Sequence, residues 1–230
     1  MKTIMAIGAH IGDMELTAGG ILATAALNSD KIIIVSVTAG ERGNPQNTTV
    51  EQYKTQKILE ASNFAKALKA TSVILGYKDG EIPNNDIIRW EICDLIRKYK
   101  PDTIITHWRK SIHKDHEVTY NVVKDAQFFA GLASIERQYP PHFAKGPYYA
   151  ENWEDGMDFE KYVYIKISEE GFNLWNKIID YHWFVNNSEC YPYKKYYSQL
   201  KSIRGIEARA LYAEVFNLEE HHKRVVKDEI

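Results

Sequence analysis

The sequence predicts an α/β fold: a Rossmann-like, doubly wound, mostly parallel sheet with an aromatic-rich C-terminal extension. Three observations lead there. Short β-branched or apolar runs alternate with longer segments of helical periodicity, the pattern of βαβ units. The runs are apolar nearly throughout rather than alternating, as strands buried on both faces are. The polar clusters follow the runs, at the carboxyl strand ends where ligands of such sheets bind.

Taken in order, a first strand is expected at Thr3–Ile7, followed by a helix at Gly19–Leu27 and a second strand at Lys31–Val37. A helix over roughly Val50–Leu68 carries Ile58, Ala61, Phe64, Ala65 and Leu68 at helical spacing, and a third strand is expected at Ser72–Leu75. Asp86–Tyr99 reads as a helix with Ile87, Ile88, Trp90, Ile92 and Leu95 apolar, and Asp102–Thr106 as the fourth strand. In the last third, a strand at Tyr162–Ile167 precedes a helix from Gly171 to about Val185. One domain is expected, with a core over about residues 1–135 and an extension over about 136–230.

Composition narrows the function. A hydrophobic fraction of 44%, a charged fraction of 26% and a net charge of −2 describe an ordinary globular chain without the basic excess of a nucleic-acid binder. No apolar run has membrane-spanning length and no signal-peptide pattern opens the chain, so a cytoplasmic protein with small-molecule partners is expected. Cys93 and Cys190 lack companion ligands and read as ordinary thiols. No G-x-G-x-x-G or P-loop spacing is present, which argues against a nucleotide-dependent enzyme.

The chemistry concentrates in "GAHIGD", "TAGERGNP", "GYKDGEIPNN" and "HWRKSIHKDHE", one after each of the four strands. His10 and Asp13, with the later His113-Lys114-Asp115-His116, offer two imidazoles and a carboxylate to a divalent metal. Three protein ligands plus an open position is the catalytic zinc pattern; it brings the pKa of a bound water to about 7 and polarises a carbonyl, which suits amide hydrolysis. The same ligand types also accept other divalent metals. Separately, each residue reads equally well as a helix cap or a solvated turn, and it is their clustering at neighbouring strand ends that favours a metal. The acidic and basic segment "EEHHKRVVKDEI" reads as a solvated end, with His221 and His222 far from any other ligand pattern.

These residues resemble the PIG-L/LmbE-like family of zinc-dependent N-acetyl-sugar deacetylases, over most of the chain. The family's A-H-P-D-D followed by Gly-Gly is similar to Ala9-His10-Ile11-Gly12-Asp13 with Gly19-Gly20. Its T-x-G-E-x-G is matched by Thr38, Gly40, Glu41 and Gly43, its L-G-x-x-D-G by Leu75-Gly76-Tyr77-Lys78-Asp79-Gly80, and its H-P-D-H by His113–His116. The late G-x(3)-G-x-x-Y-A-E-x-F pattern is similar to Gly205–Phe216, with Arg209 at the second glycine.

The resemblance implies zinc on His10, Asp13 and His116, with His113 holding the oxyanion or protonating the leaving amine and Asp115 orienting its ring. It implies removal of an acetyl or other acyl group from an N-acetylglucosamine-like sugar or related small molecule, and trimers or hexamers of the chain. It also places Gly12 where the family carries its general base. Glu41, Asp115 and Glu15, in falling order, are then the candidates for a replacement. The alternatives are a base supplied by the substrate, or a zinc-containing sugar-binding or regulatory protein without turnover. Lys57 stands at the family's substrate-facing Arg and cannot reproduce its bidentate fork. Arg42, Trp108 and Tyr149 join Lys57 as candidate pocket residues, the aromatic faces being suited to sugar rings.

Overall fold

The computed structural model describes residues 1–224. Its seven strands form one sheet in the order β3-β2-β1-β4-β5-β7-β6, where β1 is Thr3–His10, β2 Lys31–Thr38, β3 Thr71–Tyr77, β4 Thr103–Thr106, β5 Lys145–Ala150, β6 Val163–Ile167 and β7 Tyr212–Asn217. The first five strands pair in parallel, and β7 pairs antiparallel with both β5 and β6. Strand order reverses between β1 and β4, so their carboxyl ends open a crevice at the switch point.

Eight helices flank the sheet: α1 (Asp13–Thr17), α2 (Gly19–Leu27), α3 (Val50–Ala67), α4 (Asp86–Tyr99), α5 (Lys114–Ala130), α6 (Glu169–Ile178), α7 (Trp183–Asn187) and α8 (Tyr193–Glu207). Strand side chains alternate between two cores. Ala6, Ile32, Ile34 and Ile105 pack with Leu22, Phe64 and Trp175, whereas Met5, Ile7, Ile33, Val35 and Ile104 pack with Ile92, Val122 and Val123. Helix starts follow their caps: the Thr49 hydroxyl accepts from Gln52 N–H in a capping box, Asn85 caps α4 and Ser168 caps α6.

The four expected strands of the N-terminal part are all present, each within a few residues of the expected bounds, and α2 and α4 have the expected bounds. Helix α5 went unforeseen because it opens in the polar run Lys114–Glu117; Val122, Val123 and Ala126 supply its apolar face. The helix expected from Gly171 to Val185 is broken by a 3-10 turn at Ile179–Tyr181 and resumes as α7. Ile58 and Ile87, expected to face the core, are exposed. His221 and His222 lie in an exposed 3-10 turn, and residues 225–230 of the expected solvated end fall outside the described part.

The late motif has a structural role. Glu214 on β7 accepts the Gly20 and Ile21 amide protons at 2.9 Å each, satisfying the start of α2. Buried Lys201 pairs with Glu214 at 2.9 Å and donates to the Leu16 carbonyl at 2.8 Å. A Cβ on Gly20 would lie 2.6 Å from Ile167 Cδ1, so glycine is what lets β6 and β7 approach this helix. The C-terminal third thereby ties helices α1 and α2 to the edge of the sheet.

Candidate active site

A cleft of roughly 830 Å³ opens over the carboxyl ends of β1 and β4 and carries His10, Asp13, His113 and His116 on its wall. β1 ends on His10, and the chain turns at Gly12, whose φ of +108° and position as N-cap of α1 bring Asp13 back beneath the histidine. Asp13 Oδ2 accepts from the His10 amide at 2.7 Å and lies 3.3 Å from His10 Nδ1 and 3.6 Å from His116 Nε2. Asp13 Oδ2 thus stands between a donor atom from the first strand and one from α5.

Each imidazole is held from behind. His10 Nε2 lies 3.2 Å from Asp79 Oδ1 and 3.5 Å from Asp115 Oδ2, and makes no geometrically sound hydrogen bond. His116 Nδ1 donates to Asp155 Oδ1 at 2.9 Å, which leaves the Nε2 lone pair facing Asp13. Asp155 also pairs with His107 Nδ1 at 3.0 Å, and the His107 ring stacks on His116 with centroids 3.9 Å apart. Carboxylates behind metal-binding histidines fix tautomer and orientation in this way.

The electrostatics suit a cation. Burial disfavours charge on His10, but Asp13, Asp115 and Asp79 outweigh it and hold its pKa well above the ordinary value. Burial and the neighbouring His107 push His116 down to about 4, keeping it neutral and able to offer a lone pair. Burial opposes ionisation of Asp13, yet His10 and His116 hold its carboxyl well below the usual range. Two imidazoles and a carboxylate in a field that attracts positive charge fit a divalent metal. Among the described residues three groups have donor atoms within 4.8 Å of one another: His10, His113 and His116; Asp13, His107 and His116; and His10, Asp79 and Asp115.

His113 also reaches the cleft, but not as the resemblance implies. Its Nδ1 accepts the Asp115 amide proton at 3.3 Å, leaving Nε2–H as the donor of a neutral ring. Burial and the charge on His10 lower its pKa. The Asp115 carboxylate does not hold this ring; it accepts from Gly80 N–H at 2.7 Å and faces His10. Asp115 thus faces His10 at 3.5 Å instead of His113.

Glu41 is buried and turned inward, where Oε1 accepts the Asp79 amide proton at 3.0 Å, so it is off the cleft wall. Glu15 is likewise buried, its Oε2 accepting from Gly12 N–H at 3.1 Å, and burial raises its pKa to about 7. Trp108 and Tyr149 are not pocket residues: both are buried in a small aromatic core with Tyr120 and Phe159, where large apolar faces pack better than they would in water. Arg42 lines the mouth and pairs with Glu81, while Lys57 is buried on the wall.

The sequence reading missed His107, Asp155 and Glu154. His107 immediately follows β4, which is where a ligand-shell residue belongs in this topology, whereas Asp155 comes from the C-terminal third with no motif to mark it. Glu154 lines the cleft, and burial, with Asp13 and Asp155 nearby, raises its pKa to about 7. The cleft's aromatic wall is built by Tyr53, Trp153, Trp183, Phe184, Tyr193 and Tyr197, all but one from the C-terminal part.

Behind this wall His182 is fully buried, packs 5.4 Å from the Phe64 ring and, among the described residues, has no hydrogen-bond partner for either nitrogen. Burial, reinforced by Lys57, pushes its pKa down to about 3. The folded state therefore holds it neutral while the unfolded chain protonates near 6.5, and stability falls as pH drops from about 6.5 toward about 3. The contribution is about 1.4 kcal/mol per pH unit within that window. The difference in urea-derived stability between wild type and a His182→Phe variant, followed between pH 7 and 4.5, should show this slope, because Glu15 and Glu154, raised to about 7, and His116, lowered to about 4, contribute to both proteins alike.

Fold and site define a Rossmann-like α/β protein with a His/Asp cluster suited to a divalent metal in an aromatic-walled cleft. The chain belongs to the PIG-L family: the family pattern, described as GlcNAc-PI de-N-acetylase, matches residues 5–127. Its fold is similar to that of GalB, the 4-carboxy-2-hydroxymuconate hydratase of Pseudomonas putida KT2440, at 19% identity and a TM-score of 0.88, with 100% of both chains covered. The N,N'-diacetylchitobiose deacetylase of Pyrococcus horikoshii is similar at 17% identity and a TM-score of 0.82, over 99% of this chain and 88% of that one. A conserved protein of Thermus thermophilus, TT1542, is similar at 20% identity and a TM-score of 0.81, over 98% of each chain. Among the described residues, no helix is long and apolar enough to cross a membrane.

Proposed function

We propose that the cleft is the active site of a zinc-dependent amidohydrolase that removes an acetyl or other acyl group from an N-acylated sugar or related small molecule. The observation that carries this is Asp13 Oδ2 lying 3.3 Å from His10 Nδ1 and 3.6 Å from His116 Nε2 on the cleft wall, with Asp155 hydrogen-bonded behind His116 and Asp79 beside His10. Zinc on these three atoms supplies an acidified water and a Lewis acid. The chain's own residues do the rest. His113 presents Nε2–H to the negative charge that develops on the acyl oxygen. Because its Nδ1 is already an acceptor, His113 serves as a hydrogen-bond donor rather than the acid that protonates the amine. Glu154, which lines the cleft with its Oε2 3.7 Å from His116 Nδ1, is the carboxylate proposed to exchange a proton with the leaving amine. The aromatic wall excludes water and stacks on the substrate's apolar face.

The family relation supports a hydrolase, and the P. horikoshii protein is a chitobiose deacetylase. A second reading, a zinc-containing binding or regulatory protein without turnover, is favoured by one observation. The Phe184 ring fills the space beside Gly12, where the family's base is expected. The test is amine release by zinc-loaded protein from a panel of N-acetylglucosamine derivatives and N-acetyl amino acids. Since GalB is a hydratase, an unsaturated carboxylate read by its conjugated absorbance is included. Amine release supports the hydrolase; a rise in Tm with ligand and no product supports the second reading. Loss of conjugated absorbance alone moves the chain to hydration chemistry.

A further inference from the structure

Lys57 is an anomaly on the cleft wall. The side chain is 5% exposed, and its ammonium lies 4.5 Å from the Phe184 ring centroid and 5.8 Å from that of Tyr53. Among the described residues no carboxylate oxygen comes within 4.0 Å of it, and it makes no hydrogen bond. Buried charges ordinarily have a partner, because an unpaired ammonium is costly to desolvate and aromatic faces return only part of that cost. The contrast with Lys201, equally buried but paired with Glu214 and the Leu16 carbonyl, is plain. Gly40 lies between Lys57 and the ligand cluster: a Cβ there would come within 3.2 Å of Lys57 Nζ and 3.1 Å of His10 Cβ. The ammonium therefore faces the same space as the reacting atoms.

We propose that Lys57 is the anion-recognition residue of this cleft and that the substrate carries a carboxylate beside its reacting group. This rests on the reading of the cleft as the active site, and applies to an acyl amide and an unsaturated acid alike. A monoanion is favoured over a phosphate dianion by the remaining charges. Asp13, Asp79 and Glu154 line the same cleft, and Arg42, the other lysine or arginine on its wall among the described residues, is engaged by Glu81. An ammonium of this kind gains two or three charge-assisted hydrogen bonds when a carboxylate arrives.

The test compares equilibrium binding of malonamate, which bears one carboxylate, with its neutral counterpart malonamide and with inorganic phosphate, on zinc-loaded wild type, Lys57→Met and Lys57→Gln. Zinc content and Tm of each variant establish that the metal cluster and fold persist, and any carboxylate contact with the metal is common to all three proteins. The expected result is malonamate binding more tightly than malonamide to the wild type, weakened about tenfold or more in both variants, with malonamide unchanged. Equal malonamate affinity in wild type and variants overturns the proposal, as does Lys57-dependent binding of phosphate tighter than that of malonamate. Because binding is read without turnover, Lys57-dependent binding with a silent panel would defeat the hydrolase reading alone; amine release without Lys57-dependent binding would defeat this one alone.

Discussion

Asp13→Ala is expected to lose its zinc during desalting and to lower amine release by about 10³-fold or more, the loss of several kcal/mol of transition-state stabilisation that a positioned metal supplies. The reason is geometric. Asp13 Oδ2 lies 3.3 Å from His10 Nδ1 and 3.6 Å from His116 Nε2, and it anchors His10 through the backbone amide at 2.7 Å as well. On the proposed reading, removing it takes away a ligand and the orientation of a second. The informative control is Glu41→Gln, which keeps an oxygen to accept the Asp79 amide proton and should change turnover by less than about threefold, since loss of a working base costs about 10²–10⁴-fold. Metal content by elemental analysis and initial rates on the same samples check both. Full zinc retention in Asp13→Ala, or a collapse of rate in Glu41→Gln, would falsify the ligand assignment or the structural role of Glu41 respectively.

The parts of the site that sequence reading captured are those encoded within one strand end. His10 and Asp13 are three residues apart, and His113 and His116 likewise, so local spacing places each pair on one turn. That His113 faces away from the Asp115 carboxylate was not legible, because the N-cap geometry of α5 gives Nδ1 to a backbone amide instead. The parallel sheet was legible from its unbroken apolar runs, whereas β5 and β7 lie in Tyr-rich and Gly-containing segments whose strand character comes from pairing with neighbours. Trp108 and Tyr149 show the limit most plainly: an aromatic near a site in sequence is a wall or a core residue according to side-chain direction alone. Asp155 and Glu154 reach the cluster from about 140 residues beyond His10, a distance across which no local pattern operates.

Gly12→Asp, the direct way to restore the family's expected carboxylate, is expected to fail by itself. Gly12 has a φ of +108°, a conformation that strains any side chain, and a Cβ there would stand 2.6 Å from Phe184 Cζ and 2.8 Å from Cε1. Backbone strain of about 1–3 kcal/mol adds to overpacking of about 1–3 kcal/mol. Gly12→Ala should accordingly lower stability by about 3 kcal/mol or more in urea titration. In a Phe184→Ala background the steric share disappears, and the same substitution should cost only the backbone share, about 1–3 kcal/mol, a coupling that a double-mutant cycle reads directly. Phe184 also covers Lys57, at 4.5 Å from ring centroid to ammonium, so opening this position gives a new carboxylate at residue 12 both room and a cationic neighbour. If the natural site is slow for want of a base at this position, Gly12→Asp with Phe184→Ala should turn over N-acetyl substrates about 10²-fold faster than Phe184→Ala alone. Equal rates in the two would mean that proton transfer is already served from another wall of the cleft, with Glu154 the residue to substitute next.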